Sequence, residues 1–174
     1  MSLHTIEVQI DEQFQAQAQP APLHRAALAT LIHQRVEEAC ELAVVVTGDE
    51  VLRELNCRHR GVDAPTDVLS FPDERCPEPC PELCRRAVEG TRGPFVGAPG
   101  FPRYLGDVII SFPRAKAQAA EAGHDVQAEL QLLVVHGVLH LLGYDDQAEP
   151  ERAAMWMAQT AILQALDVKV HLPD

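Results

Sequence analysis

Apolar residues follow two spacings along the chain, alternation and helical repeat, and the switches between them lay out the elements. His4 to Ile10 alternates, with Ile6, Val8 and Ile10 on one side, which predicts a short strand. Residues 11–22 are rich in Gln, Ala and Pro and read as a connection. From Leu23 to Cys40, Leu28, Leu31, Ile32, Val36 and Ala39 recur at helical spacing. Leu42 to Val46 is a β-branched run that predicts a strand buried on both faces. Thr47-Gly48-Asp49-Glu50 fits a capping box, and Val51, Leu52 and Leu55 form the inner face of the helix it opens. Asn56 to Pro65 reads as loop, and Asp67 to Phe71 as a strand stopped by Pro72.

Residues 73–103 are rich in proline and glycine and show no periodicity, which predicts a long irregular surface insertion. Strand character returns from Tyr104 to Ser111. Pro113 suits the first turn of an alanine-rich helix that closes at Gly123. Asp125 then caps a helix running to Leu142 that is apolar nearly all round, as a central buried helix must be. Pro150 opens a last helix to Leu166, with Ala154, Met155, Ala158, Ile162 and Leu166 facing inward. The order predicts an α+β fold, a small mixed sheet of about four strands packed with about five helices. All of it is expected to form a single domain over residues 1–174, with Met1-Ser2-Leu3 set aside as a remnant of expression cloning.

Bulk composition narrows the setting. Hydrophobic residues make up 47% of the chain, enough for a packed core. No apolar run approaches the roughly 20 residues of a membrane span. The first residues lack the basic and apolar regions of a signal peptide, so a cytoplasmic protein is expected. The net charge is −12, so any nucleic-acid contact must come from a local basic patch rather than a global field. Five cysteines in such a setting do not suggest a disulfide framework. Cys76, Cys80 and Cys84 recur at every fourth position, but Pro77, Pro79 and Pro81 break up the segment and no fourth ligand is evident. They read as incidental loop cysteines.

The chemistry concentrates in His136-Gly137-Val138-Leu139-His140 and the turn after it. Two histidines four apart on a helix are separated by about 6 Å of rise and roughly 40° of rotation, so both imidazoles can reach one metal ion. Gly143 stands where a left-handed helix end is expected, and Asp145 and Asp146 follow at once. Asp146 is the candidate third ligand and Asp145 the candidate partner that orients a histidine. The competing reading is two packing histidines and a solvated acidic turn. Metalloproteases with this spacing carry a glutamate general base where this chain has Gly137, so peptide hydrolysis is not the chemistry implied.

A second constellation, Arg58, His59 and Arg60, gathers basic groups in an acidic chain ahead of Pro65-Thr66-Asp67-Val68-Leu69-Ser70-Phe71-Pro72. Arginines there can grip a phosphodiester through two hydrogen bonds. Alternatively, Arg60 pairs with Asp63, and Thr66 or Asp67 simply closes a turn.

Three strings taken together resemble the YbeY family: Leu55 to Pro72, Leu105-Gly106-Asp107-Val108-Ile109-Ile110-Ser111, and His136 to Asp145. The resemblance runs in order from about residue 42 to 166, on motifs specific enough to define a site. It implies a metal-dependent endoribonuclease, specific for single strands, that matures the 3′ end of small-subunit ribosomal RNA and serves ribosome quality control. It further implies ribosomal RNA and small-subunit components as partners. One Zn²⁺ would be held by His136, His140 and Asp146, with Arg60 as the catalytic arginine. Whether water or a ribose hydroxyl attacks stays open.

Three departures from the family pattern stand out. Asp146 occupies the place of a third histidine, a competent but harder ligand that admits other divalent ions. Ala64 replaces a usual lysine, and the stretch at 73–103 is longer than the family's. The alternatives are a ribosome-assembly binding factor with a structural zinc and, less well supported, a zinc protease or other hydrolase.

Overall fold

The computed structural model describes residues 3–73 and 102–171. Most of the segment read as a surface insertion, including Cys76, Cys80 and Cys84, lies outside the described residues.

Four strands, β1 (Thr5–Ile10), β2 (Cys40–Thr47), β3 (Val68–Pro72) and β4 (Arg103–Ser111), form one sheet in the order β1-β2-β4-β3. β1 and β2 run parallel, as do β2 and β4, whereas β3 is antiparallel to β4. Five α-helices are described: α1 (Pro20–His33), α2 (Asp49–Arg60), α3 (Phe112–Ala122), α4 (Val126–Leu141) and α5 (Glu151–Ala165). The architecture is the expected α+β fold with a mixed sheet. Parallel neighbours need a crossover, and α1 supplies it between β1 and β2.

Alternation decides which side of the sheet meets the core. In β2, Leu42, Val44 and Val46 are fully buried, while Ala43 and Val45 between them are half-buried. The strand is therefore not enclosed on both faces, as its β-branched run suggested. On β4, Val108 and Ile110 continue the same buried layer.

Several boundaries differ from the pattern reading, each for a local reason. α1 begins at Pro20, where a missing N–H costs nothing in the first turn. It stops at His33, because Arg35 turns left-handed (φ 53°) and Val36 N–H bonds back to the Leu31 carbonyl at 3.0 Å. Ile32 is consequently exposed, and Cys40 belongs to β2. A short 3-10 turn, Glu12–Phe14, occupies the connection after β1.

The capping box does not form. Gly48 is the N-cap of α2, without a side-chain cap, and the Thr47 hydroxyl donates to Asp11 at 3.4 Å instead. Leu52 and Asn56 are the buried residues of α2, and Val51 faces solvent. α2 also continues through Arg60, so the basic cluster sits on its last turn rather than in a loop. Asn56 explains the extension: its buried amide donates to the Ala64 carbonyl at 2.7 Å, folding the following segment back onto the helix.

α4 is the central element. Asp125 caps it by accepting from Gln127 N–H at 3.0 Å, and ten of its residues are buried. It packs on β3 and β4 and is flanked by α1, α3 and α5. The helix comes close to the sheet at Gly137. A Cβ there would collide with the Val108 side chain, so even a methyl group would force Val108 or the helix to shift. Ser70, paired with Val108 across β3 and β4, donates its hydroxyl to the Gly137 carbonyl at 3.0 Å. These contacts fix the height of the histidines beside it.

Candidate metal centre

The last turn of α4 closes with the hydrogen bonds of a Schellman motif. Gly143 takes a left-handed conformation (φ 95°) and donates to the His140 carbonyl at 2.9 Å, and Tyr144 N–H donates to the Leu139 carbonyl at 3.0 Å. That reversal returns Asp146 to the helix end. His136 Nε2 and His140 Nε2 lie 3.0 Å apart, and Asp146 Oδ2 is 3.7 Å from the first and 3.8 Å from the second. Among the described residues these three form the group of metal-binding type whose ligand atoms converge. A tetrahedral ion with bonds of about 2.0–2.1 Å requires donor atoms roughly 3.3 Å apart, within the range this triangle spans.

The proton inventory says what belongs between them. His140 Nδ1 lies 2.9 Å from the Tyr144 backbone carbonyl, which can only accept, so Nδ1 carries hydrogen. His136 Nδ1 lies 3.2 Å from Gln159 Oε1, another acceptor. In the neutral rings both Nε2 atoms therefore present lone pairs to each other and to a carboxylate. In that arrangement three lone-pair donors face one another, a set that could hold a metal ion. Burial, and next the neighbouring His140, hold His136 below the ordinary histidine pKa, outweighing opposing pulls from Gln159, Asp146 and Asp67. Two imidazole nitrogens and one carboxylate are a donor set of the kind that binds divalent ions.

The structure brings together His136, His140 and Asp146, as the spacing suggested. It does not bring Asp145 to a histidine: that exposed carboxylate accepts from Gln147 N–H at 3.0 Å in its own turn. The groups within hydrogen-bonding distance of the histidine Nδ1 atoms are instead the Tyr144 carbonyl and Gln159. Gly137 points at the sheet, so the missing protease glutamate is a packing requirement of this fold as well as a chemical difference.

Arg60 is exposed on the last turn of α2, and no hydrogen bond or ion pair among the described residues joins it to the triad. Its suggested partner Asp63 is taken by Arg53, through bonds of 2.6 and 2.9 Å. Arg58 is held by Glu54 at 2.6 Å. Beside Arg60, the ring of His59 packs on Phe71 with centroids 4.8 Å apart, tying the end of α2 to β3.

Two participants escaped the sequence reading. Asp67 does more than close a turn. It accepts from Gln118 at 3.0 Å, from Val68 N–H at 2.8 Å and from Thr66 at 3.1 Å. Burial pushes its pKa up, but these hydrogen bonds together win and hold it below the usual aspartate value. Its charge is felt at His136. Gln159, buried on α5, was hidden among residues read as apolar packing. Its only available signal was a polar residue on an inward face.

Comparison with known proteins identifies the family. A family model described as Endoribonuclease YbeY matches residues 5–167. The chain is 47% identical over 152 residues to an endoribonuclease YbeY of Chloroflexus aurantiacus, covering 87% of this chain and 88% of the relative. Against that of Bacillus mycoides it is 44% identical over 132 residues, 76% of each. The solution structure of TM1509 from Thermotoga maritima shares the fold, with a TM-score of 0.53 at 18% identity over 94% of this chain and 92% of that one. The chain belongs to the YbeY family of endoribonucleases.

Proposed function

We propose that the chain is a single-domain, metal-dependent endoribonuclease that cuts single-stranded RNA in the cytoplasm. Its substrate is the 3′ end of small-subunit ribosomal RNA, and its partners are ribosomal RNA and components of the small subunit, in maturation and ribosome quality control. The observation that carries this reading is the convergence of two imidazole nitrogens and a carboxylate oxygen at the end of a buried helix, in a chain of this family.

His136, His140 and Asp146 would hold one divalent ion, with Zn²⁺ the first choice and other divalent ions admitted by the carboxylate. Such an ion, when bound, polarises a phosphoryl oxygen and lowers the pKa of water. The protein's own contributions are positional. Gly137 and Ser70 set the histidines against the sheet, and Gln159 and the Tyr144 carbonyl hold their ring hydrogens outward. Arg60 serves as the phosphate contact that offsets charge growing on the scissile group. Its availability supports that role: of the arginines on α2, Arg53 and Arg58 are ion-paired, and Arg60 has no such partner among the described residues.

The test compares cleavage of labelled single-stranded RNA by metal-loaded protein, chelator-treated protein, His136→Ala and Arg60→Ala. Loss of cleavage in all three treated or altered samples is expected. Cleavage that persists in all of them would refute the nuclease reading and leave a binding role in ribosome assembly.

A further inference from the structure

We infer that Gln159 is a positioning residue of the metal centre: its side-chain carbonyl keeps the ring hydrogen of His136 on Nδ1 and leaves Nε2 free to face the triad.

The inference rests on the metal reading above and on three features of α5. First, Gln159 is 5% exposed, and the other buried residues of that helix are Met155, Ala158, Ile162 and Leu163. An amide is costly in apolar surroundings unless a hydrogen bond compensates it, so its presence there calls for a partner. Second, the partner is His136 Nδ1, at 3.2 Å, on the side of the ring away from the triad. Third, the two histidines are anchored by different means. His140 is fixed by a backbone carbonyl that the chain's own turn supplies, whereas His136 depends on a side chain from another helix.

The consequence is chemical. A neutral imidazole without an anchor exchanges between two tautomers, and the one with hydrogen on Nε2 cannot ligate. An acceptor at Nδ1 removes that form and raises the basicity of Nε2. Outer partners of this kind change metal affinity by about 10–100-fold. Gln159 thus couples packing of α5 onto α4 to occupancy of the site.

The experiment uses the full chain and two readouts. Zn²⁺ affinity is measured by competition with a chromophoric chelator, and the tautomer of His136 is read from its ring-nitrogen NMR signals in metal-free protein near neutral pH. Wild type is expected to show Nδ1–H at His136. Gln159→Leu, which keeps bulk but offers no acceptor, is expected to show mixed tautomers and to bind Zn²⁺ about 10–100-fold more weakly. Gln159→Glu, which restores an acceptor, is expected to return the Nδ1–H signal and an affinity no weaker than wild type.

Unchanged tautomer and affinity in Gln159→Leu would overturn the inference while leaving the metal site standing. If Gln159→Leu does not fold, a tenfold loss of affinity in Gln159→Glu would overturn it. Failure of wild type to take up Zn²⁺ would count against the metal reading instead, and the ring-nitrogen signals would still decide the role of Gln159.

Discussion

α4 and α2 each present a cluster of chemically capable residues, but they hold them in opposite ways. On α4 the histidines stand on a buried helix with a fold contact behind each part: the sheet behind Gly137, a carbonyl behind His140, an amide behind His136. On α2 the arginines lie on a solvent-facing turn, where the Arg58–Glu54 and Arg53–Asp63 pairs are mostly exposed. Buried donors cost free energy unless satisfied, so their geometry is tightly specified. Exposed ion pairs are screened and flexible, and each contributes little to stability. The candidate metal centre is therefore held by packing and hydrogen bonds within the fold, while the arginine cluster lies on the surface.

The largest effect on that contrast is expected from Gly137→Ala. The added methyl meets Val108, and overpacking of this kind costs about 1–3 kcal/mol. Because the same contact sets the height of His136, Zn²⁺ affinity should fall along with the urea midpoint. Unaltered stability and affinity would mean that the helix is less constrained than the buried half of the comparison requires.

A smaller, pH-dependent effect is expected at Asp67, which connects β3 to the surroundings of His136. Its pKa is lower in the folded protein than the ordinary value of 3.8. A depressed carboxylate stabilises the fold fully above its unfolded pKa, and that contribution is lost as pH falls through the folded value. Asp67→Asn should therefore lower the urea midpoint near neutral pH and flatten its decline in acid. Parallel pH profiles for the two proteins would contradict the role assigned to these hydrogen bonds.

The smallest stability effects should come from α2. Arg58→Ala is expected to leave the urea midpoint almost unmoved, since it removes only a surface pair. Arg60→Ala should be equally silent in stability yet weaken RNA binding and make its salt dependence shallower. A marked loss of stability in Arg60→Ala would place that arginine in the structural framework and narrow the difference between the two helices.

How much of this was legible in the sequence follows the same division. Features set by neighbours along the chain could be read directly: the Asp125 cap, the four-residue histidine spacing, the left-handed Gly143 and the carboxylate just beyond it. Features set across the fold could not. Helix α1 ends because Arg35 adopts a left-handed conformation that no glycine announces. α2 runs past the expected boundary because Asn56 bonds to a carbonyl eight residues later. Thr47 looks like a cap but finds Asp11 instead, on the connection that follows the neighbouring strand. Gln159 and Asp67 acquire their meaning only when α5 and β3 meet α4. The replacement of a third histidine by Asp146 was visible at once, but its competence as a ligand depends on distances that only the fold sets.

That competence is the central claim, and X-ray absorption at the edge of the bound metal tests it most directly. For protein loaded with one equivalent of Zn²⁺, the account predicts two imidazole nitrogens and a carboxylate oxygen within about 2.0–2.2 Å, with one imidazole lost in His136→Ala and the carboxylate lost in Asp146→Ala. A spectrum dominated by sulfur, or one unchanged in both variants, would contradict it.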